Sequence, residues 1–278
     1  MANIIIPKVY WDIKPPVGSQ INWGHPLAQG LVGCWLMNEG GGKRLQDLYS
    51  NSLSTMNTGV IEYISTPKGM GVKFNGDIVD CGNNPKTNFT LDRRSFSIYF
   101  LLKSNSNTDL VRYFHRPEIA STRGWQIVQS AASGVRFEVV NASGGRAVNI
   151  TTPDAYFLTT KYESYLLTFR DRGGIPAQSD FQVSRNGGLF FNTDHGNLFA
   201  VSATPNLSIG GRIGTGNQVN ANILFAMLWE RRLGQSEARA LYEAPYQFIQ
   251  PRVYRFYSVP VGVSANVLTR RRVFLSCS

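Results

Sequence analysis

The chain has 278 residues, 42% hydrophobic, 12% aromatic and only 17% charged, with a formal net charge of +10. That length and apolar content allow a substantial buried core, and 27 glycines with 13 prolines suit a turn-rich β protein. No apolar run reaches the roughly 18 residues of a membrane-spanning helix, and three distant cysteines, Cys34, Cys81 and Cys277, do not form a disulfide scaffold. All three read as free thiols of a protein made in a reducing cytosol.

Taken in chain order, residues 1–29 read as an extended arm, because Pro7, Pro15, Pro16 and Pro26 forbid a helix. Its apolar Ile4-Ile5-Ile6 is cut by Pro7 and follows no basic segment, so no secretion signal is expected. Trp11 and Trp23 fall in this arm, outside any obvious core, and are expected to dock on a partner. Residues 30–246 carry short alternating or apolar runs separated by Gly, Asn, Ser and Pro clusters. Strands are predicted at 31–36, 59–64, 71–74, 95–103, 110–114, 125–130, 135–140, 146–151, 162–170, 180–185, 207–209 and 222–230. Trp35, Trp125 and Trp229 lie in these strands and read as core. Asn186-Gly187-Gly188 reads as a hairpin turn, since Asn and Gly accept positive φ cheaply.

One helix is predicted, over 235–244, capped by Gln235 or Ser236, stopped by Pro245, with Ala238, Leu241 and Tyr242 on its apolar face. Residues 247–278 form a second arm with no acidic residue and with Arg252, Arg255, Arg270, Arg271 and Arg272. Tyr254, Phe256 and other apolar residues interleave them, which points to burial against an anionic protein partner more than to a solvated tail.

Catalytic patterns are missing. His25, His115 and His195 are isolated in sequence, and no His-Glu-x-x-His, paired-cysteine or Gly-x-Ser-x-Gly motif occurs. Glycoside hydrolysis needs two carboxylates on one face, and no Glu-x-Asp-x-Glu strand is present. Asp77 and Asp80, at odd spacing, would point to opposite faces of a regular strand. The chain is therefore not expected to be an enzyme.

A set of ordered blocks runs through the middle part. It opens with Gly30-Leu31-Val32-Gly33-Cys34-Trp35 through Asn38-Glu39-Gly40, followed by Val72-Lys73-Phe74-Asn75-Gly76-Asp77 and Phe181-Gln182-Val183-Ser184-Arg185-Asn186-Gly187. It closes with Leu207-Ser208-Ile209-Gly210-Gly211-Arg212, residues 222–233 and Ser236-Glu237-Ala238-Arg239-Ala240-Leu241-Tyr242. Together these resemble the concanavalin A-like, laminin-G-like domains. The resemblance implies an all-β, two-sheet antiparallel jelly-roll sandwich over residues 30–246, with one short C-terminal helix and the two arms outside it. Calcium binding in such domains uses loop acids, but the positions where the family has Ile-Asp-Glu are Ile223-Leu224-Phe225 here. No metal or other cofactor is therefore expected, and Asp77, Asp80 and Asp194 are the only candidates left.

The variant resembles domains of bacteriophage structural proteins, through Ile21-Asn22-Trp23-Gly24-His25-Pro26 and Ala226-Met227-Leu228-Trp229-Glu230-Arg231 leading to Ala244-Pro245-Tyr246. This implies a virion protein, most simply a capsid decoration or cement protein. Its partners would be the major capsid protein or other virion proteins and further copies of itself, with a trimer as one such cluster. Trp11, Trp23, Arg252, Tyr254, Arg255 and Phe256 would anchor it, and Arg270, Arg271 and Arg272 would guide it electrostatically. The alternative is a tail- or head-fibre lectin-like module that binds host glycans. Membrane association is not expected, and nucleic-acid binding through the basic arm is the less favoured use of those arginines.

Overall fold

The computed structural model describes residues 13–58, 62–87, 95–105, 112–117, 124–129, 134–140, 146–151, 161–170, 179–195, 206–211 and 219–251. The chain forms β1 (Gln20–Ile21), a 3-10 turn (Pro26–Ala28), β2 (Leu31–Trp35), β3 (Arg44–Asp47), β4 (Ser52–Thr58), β5 (Glu62–Thr66), β6 (Gly69–Asn75) and β7 (Ile78–Asp80). After a 3-10 turn (Pro85–Thr87) come β8 (Phe96–Ser104), β9 (Arg112–Pro117), β10 (Gly124–Gln129), β11 (Val135–Val140), β12 (Arg146–Thr151) and β13 (Glu163–Arg170). The rest are β14 (Ser179–Arg185), β15 (Phe191–His195), β16 (Ser208–Ile209), β17 (Asn220–Trp229), α1 (Gln235–Glu243) and β18 (Ile249–Gln250).

Phe96-Ser-Ile-Tyr-Phe-Leu-Leu has large side chains at nearly every position, so its strand must be covered on both faces. In the structure Phe96, Ile98, Phe100 and Leu102 face one core, whereas Tyr99 and Leu101 face another. The first core lies between two sheets. The front sheet runs β17-β8-β13-β14-β15, with β6 and β2 sharing the other edge of the long β17. The back sheet runs β3-β4-β7-β16-β9-β10-β11-β12, joined to the front through the single pair Trp35–Asp47. Ring contacts cross the layers: Phe96–Phe137 at 5.5 Å, Phe137–Phe181 at 4.9 Å and Phe100–Phe114 at 5.1 Å. The chain is thus an all-β antiparallel sandwich with one short helix.

The second core covers the outer face of the front sheet. It is built from Tyr99, Leu101 and Leu166 together with Leu224, Phe225, Met227 and Trp229 of β17, and is roofed by Ala238 and Leu241 of α1. Ile21, Leu27 and Ala28 from the leader and Tyr246, Phe248 and Ile249 beyond the helix complete it, with β1 pairing antiparallel to β18. Residues 20–28, read from sequence as part of an extended arm, are therefore packed against the sandwich. Pro26 opens only a 3-10 turn, and Ile21, Leu27 and Ala28 are buried while Trp23 stays half exposed.

All three strand tryptophans are buried, and each indole N–H has an acceptor. Trp35 donates to Ser54 Oγ at 2.9 Å, Trp125 to the Thr87 carbonyl at 3.1 Å and Trp229 to the Leu27 carbonyl at 2.7 Å. The helix starts at Gln235, as predicted, but neither Gln235 nor Ser236 is its cap. Gly234 occupies the cap, and its N–H donates to Glu237 Oε2 at 2.9 Å. Tyr242, predicted on the apolar face, is 48% exposed.

Candidate ligand-binding cleft

The site begins at an irregularity in β17. Between Ile223 and Phe225 the register against β8 slips, so Leu224 and Phe225 both turn into the second core. These are the positions where the resemblance expects two acids. In their place Phe225 packs between Tyr99 at 5.2 Å and Tyr246 at 5.6 Å, and the three rings floor an open cleft of about 450 Å³.

The Asn186-Gly187 turn shapes one wall. Asn186 has φ 52° and Gly187 φ 68°, the positive values that a tight hairpin requires. A Cβ on Gly187 would lie 2.8 Å from Cβ of Tyr242, so only glycine lets α1 approach this closely. Gln235 fixes the approach by donating to the Gly188 carbonyl at 2.8 Å. Asn186 Oδ1 accepts from the Ser164 N–H at 2.9 Å, and its Nδ2 donates to the buried Glu163 at 3.1 Å. Both ends of this amide are thereby held.

Two of the cleft's hydroxyls are held by hydrogen bonds. Tyr99 donates to the Leu241 carbonyl at 3.0 Å, and Tyr162 accepts from Asn222 Nδ2 at 3.0 Å. Burial pushes the phenols of Tyr99 and Tyr246 well above the usual tyrosine range. Charge sits at the rim and is biased positive. Glu163 lies 3.6 Å from Lys161 and 4.0 Å from Arg185, while Glu243 takes a 2.9 Å bond from Arg239. Lys68 adds a further cation to the lining.

Of the residues expected to bind partners, Trp11, Arg252, Tyr254, Arg255, Phe256, Arg270, Arg271 and Arg272 lie outside the described residues. Trp23 is 53% exposed and meets Tyr49 edge-on at 5.9 Å, away from the cleft lining. Two of the candidate metal acids are engaged in local hydrogen bonds. Asp80 accepts from the Gly82 N–H at 2.8 Å and from Asn206 Nδ2 at 2.9 Å. Asp77 accepts from the Asn75 N–H at 3.5 Å across the turn at Gly76. Asp194 stands on β15, opposite Asp180 of β14. Among the described residues no three His, Cys, Asp or Glu converge.

The outer face of the back sheet carries a polar row in direct cross-strand register, Asp80, Ser208, His115, Gln126 and Glu138. Gln126 links it laterally, accepting from Arg112 at 2.7 Å and donating to Glu138. Asp80 and Glu138 stand four strands apart, about 19 Å at the usual strand spacing, beyond the roughly 5–10 Å that two-carboxylate hydrolysis needs.

No family model and no curated protein sequence matches the chain. Solved structures do. The binding domain of Paraclostridial Mosquitocidal Protein 1 superimposes with a TM-score of 0.59 at 16% identity, over 78% of this chain and 52% of that one. The botulinum neurotoxin serotype G binding domain gives 0.55 at 15% identity, over 76% and 50%. Trypanosoma rangeli sialidase in complex with sialic acid gives 0.55 at 17% identity, over 79% and 33%. The chain thus spans about half of each toxin domain and a third of the sialidase. Identities this low carry the architecture alone: the chain is a β-sandwich similar in fold to these binding domains.

Proposed function

We propose that the chain is a non-catalytic, lectin-like binding module whose cleft takes a saccharide. The observation that carries this reading is the half-exposed Tyr242 ring at the edge of a cleft also lined by Tyr162, Ser164 and Asn186, over the buried rings of Tyr99, Phe225 and Tyr246. Sugar rings present apolar C–H faces and many hydroxyls, which such rings and fixed, neutral hydrogen-bonding groups complement. The likeness to toxin binding domains and to a sialidase in complex with sialic acid agrees with a recognition role. Within the phage setting implied by the sequence blocks, this is the fibre-type lectin module in place of a shell cement.

Glycan-array binding followed by titration calorimetry tests the proposal. Tyr242→Ala is expected to weaken the best saccharide at least about tenfold, with the melting temperature unchanged because the ring is half exposed. Binding that survives removal of residues 252–278 separates this reading from a cement protein anchored by its basic arm. A wild-type protein that binds no glycan, yet co-sediments with phage shells through that arm, would overturn it.

A further inference from the structure

The tyrosine-lined cleft does not end at Lys68. This residue sits in the turn of the β5–β6 hairpin, which Thr66 closes by donating to the Gly69 carbonyl at 2.7 Å and accepting from the Lys68 N–H at 3.1 Å. From the tip, Lys68 lines the tyrosine cleft on one side and a second cleft of about 540 Å³ on the other. The far wall of that second cleft is the leader from Ile13 to Val17, with Asn38 and Met70.

The leader is fixed there. Lys14 Nζ donates to the Met70 carbonyl and, at 2.5 Å, to the Leu224 carbonyl, and Asn38 Nδ2 donates to the Pro15 carbonyl at 2.5 Å. The Leu224–Phe225 bulge therefore serves both clefts, anchoring the leader of one through its backbone and flooring the other with the Phe225 ring. Val17 is left 59% exposed along the second cleft. Among the described residues Lys68 has no carboxylate partner, whereas Lys161, which also lines the tyrosine cleft, is paired with Glu163 at 3.6 Å.

We infer that the ligand is an acidic oligosaccharide that crosses Lys68, with one unit against Tyr242, its anionic group at Lys68, and the next unit along the leader. The inference rests on the saccharide reading of the cleft. Two adjoining troughs separated by one cationic side chain fit a chain of sugars better than a single ring, and an ammonium without a carboxylate partner favours a carboxylate or sulfate on that chain.

Titration calorimetry with uronate-containing mono-, di- and tetrasaccharides, their carboxyl-reduced counterparts and sulfated analogues tests this. The acidic tetrasaccharide is expected to bind at least about tenfold more tightly than its carboxyl-reduced form, with affinity falling as salt rises. The carboxylate and sulfate arms identify which anion is read. Lys68→Gln should remove most of that preference, and Val17→Glu should weaken the tetrasaccharide while sparing the monosaccharide. Equal affinity for acidic and neutral sugars, or wild-type behaviour of Lys68→Gln, would overturn the inference and leave the binding function intact. Failure of every saccharide to bind would overturn both. Inorganic sulfate binding as tightly as the tetrasaccharide would reduce the site to a simple anion contact and also overturn it.

Discussion

Gly210 ends β16 with φ +90°, and a Cβ there would lie 2.3 Å from the Phe74 ring and 2.7 Å from the Asp77 carbonyl. Neither the backbone angle nor the space admits a side chain, so Gly210→Ala is expected to cost about 2–4 kcal/mol, read from urea denaturation. Lys14 makes a different prediction. Burial lowers its ammonium from 10.5 to about 7, partly offset by the charge of Glu39. Between those values the unfolded chain binds the proton that the folded chain has released, so stability rises with pH from about 7 toward 10.5. Lys14→Met should flatten that rise in melting temperature measured across pH. Neither feature was legible beforehand, because each depends on what another segment places beside the residue. The acid pair Asp77 and Asp80 was visible in sequence, but the turn bonds that occupy both were not.

At the scale of elements, the sequence was most readable where a strand covers one face of the sandwich core. Val135–Val140 and Arg146–Thr151 match their predicted bounds, the former from the alternation of the buried Val135 and Phe137 with Arg136. Arg44–Asp47, Ile78–Asp80 and Phe191–His195 were not predicted, and other missed strands have an evident reason. Ser52–Thr58, Leu-Ser-Thr-Met-Asn-Thr after its first serine, is too polar to read as a strand, and Gln20–Ile21 and Ile249–Gln250 are two-residue pairings that only tertiary contact creates. The helix was readable from its apolar spacing, but its start is set by a side chain reaching back. Glu237 holds the Gly234 N–H and also accepts from Arg231 at 2.7 Å. Glu237→Ala is expected to destabilise the fold by about 1–2 kcal/mol in denaturant titrations, chiefly through the lost cap. The cleft itself had no local signature. Tyr99, Tyr162, Asn186, Phe225, Tyr242 and Tyr246 come from separate segments, and Tyr242 read as core because helical spacing cannot tell a roofed face from its open margin.

Across the whole molecule, one sheet serves two cores, and the second is completed by residues on either side of the jelly roll. Leu27 and Ala28 pack on the same face as Phe248 and Ile249, and Trp229 is capped by the Leu27 carbonyl. A chain starting at Leu31 should therefore unfold at a lower temperature and bind a hydrophobic dye, although its sandwich strands are all retained. The antiparallel pairing of Gln20 with Gln250 and Ile21 with Ile249 has a mechanical consequence. The chain enters and leaves at the same end of this ribbon, so tension applied to both flanks opens its pairs one after another instead of shearing them together. On the N-terminal side the leader's contacts at Lys14 and Pro15 take the load first, and the ribbon unzips once they have released.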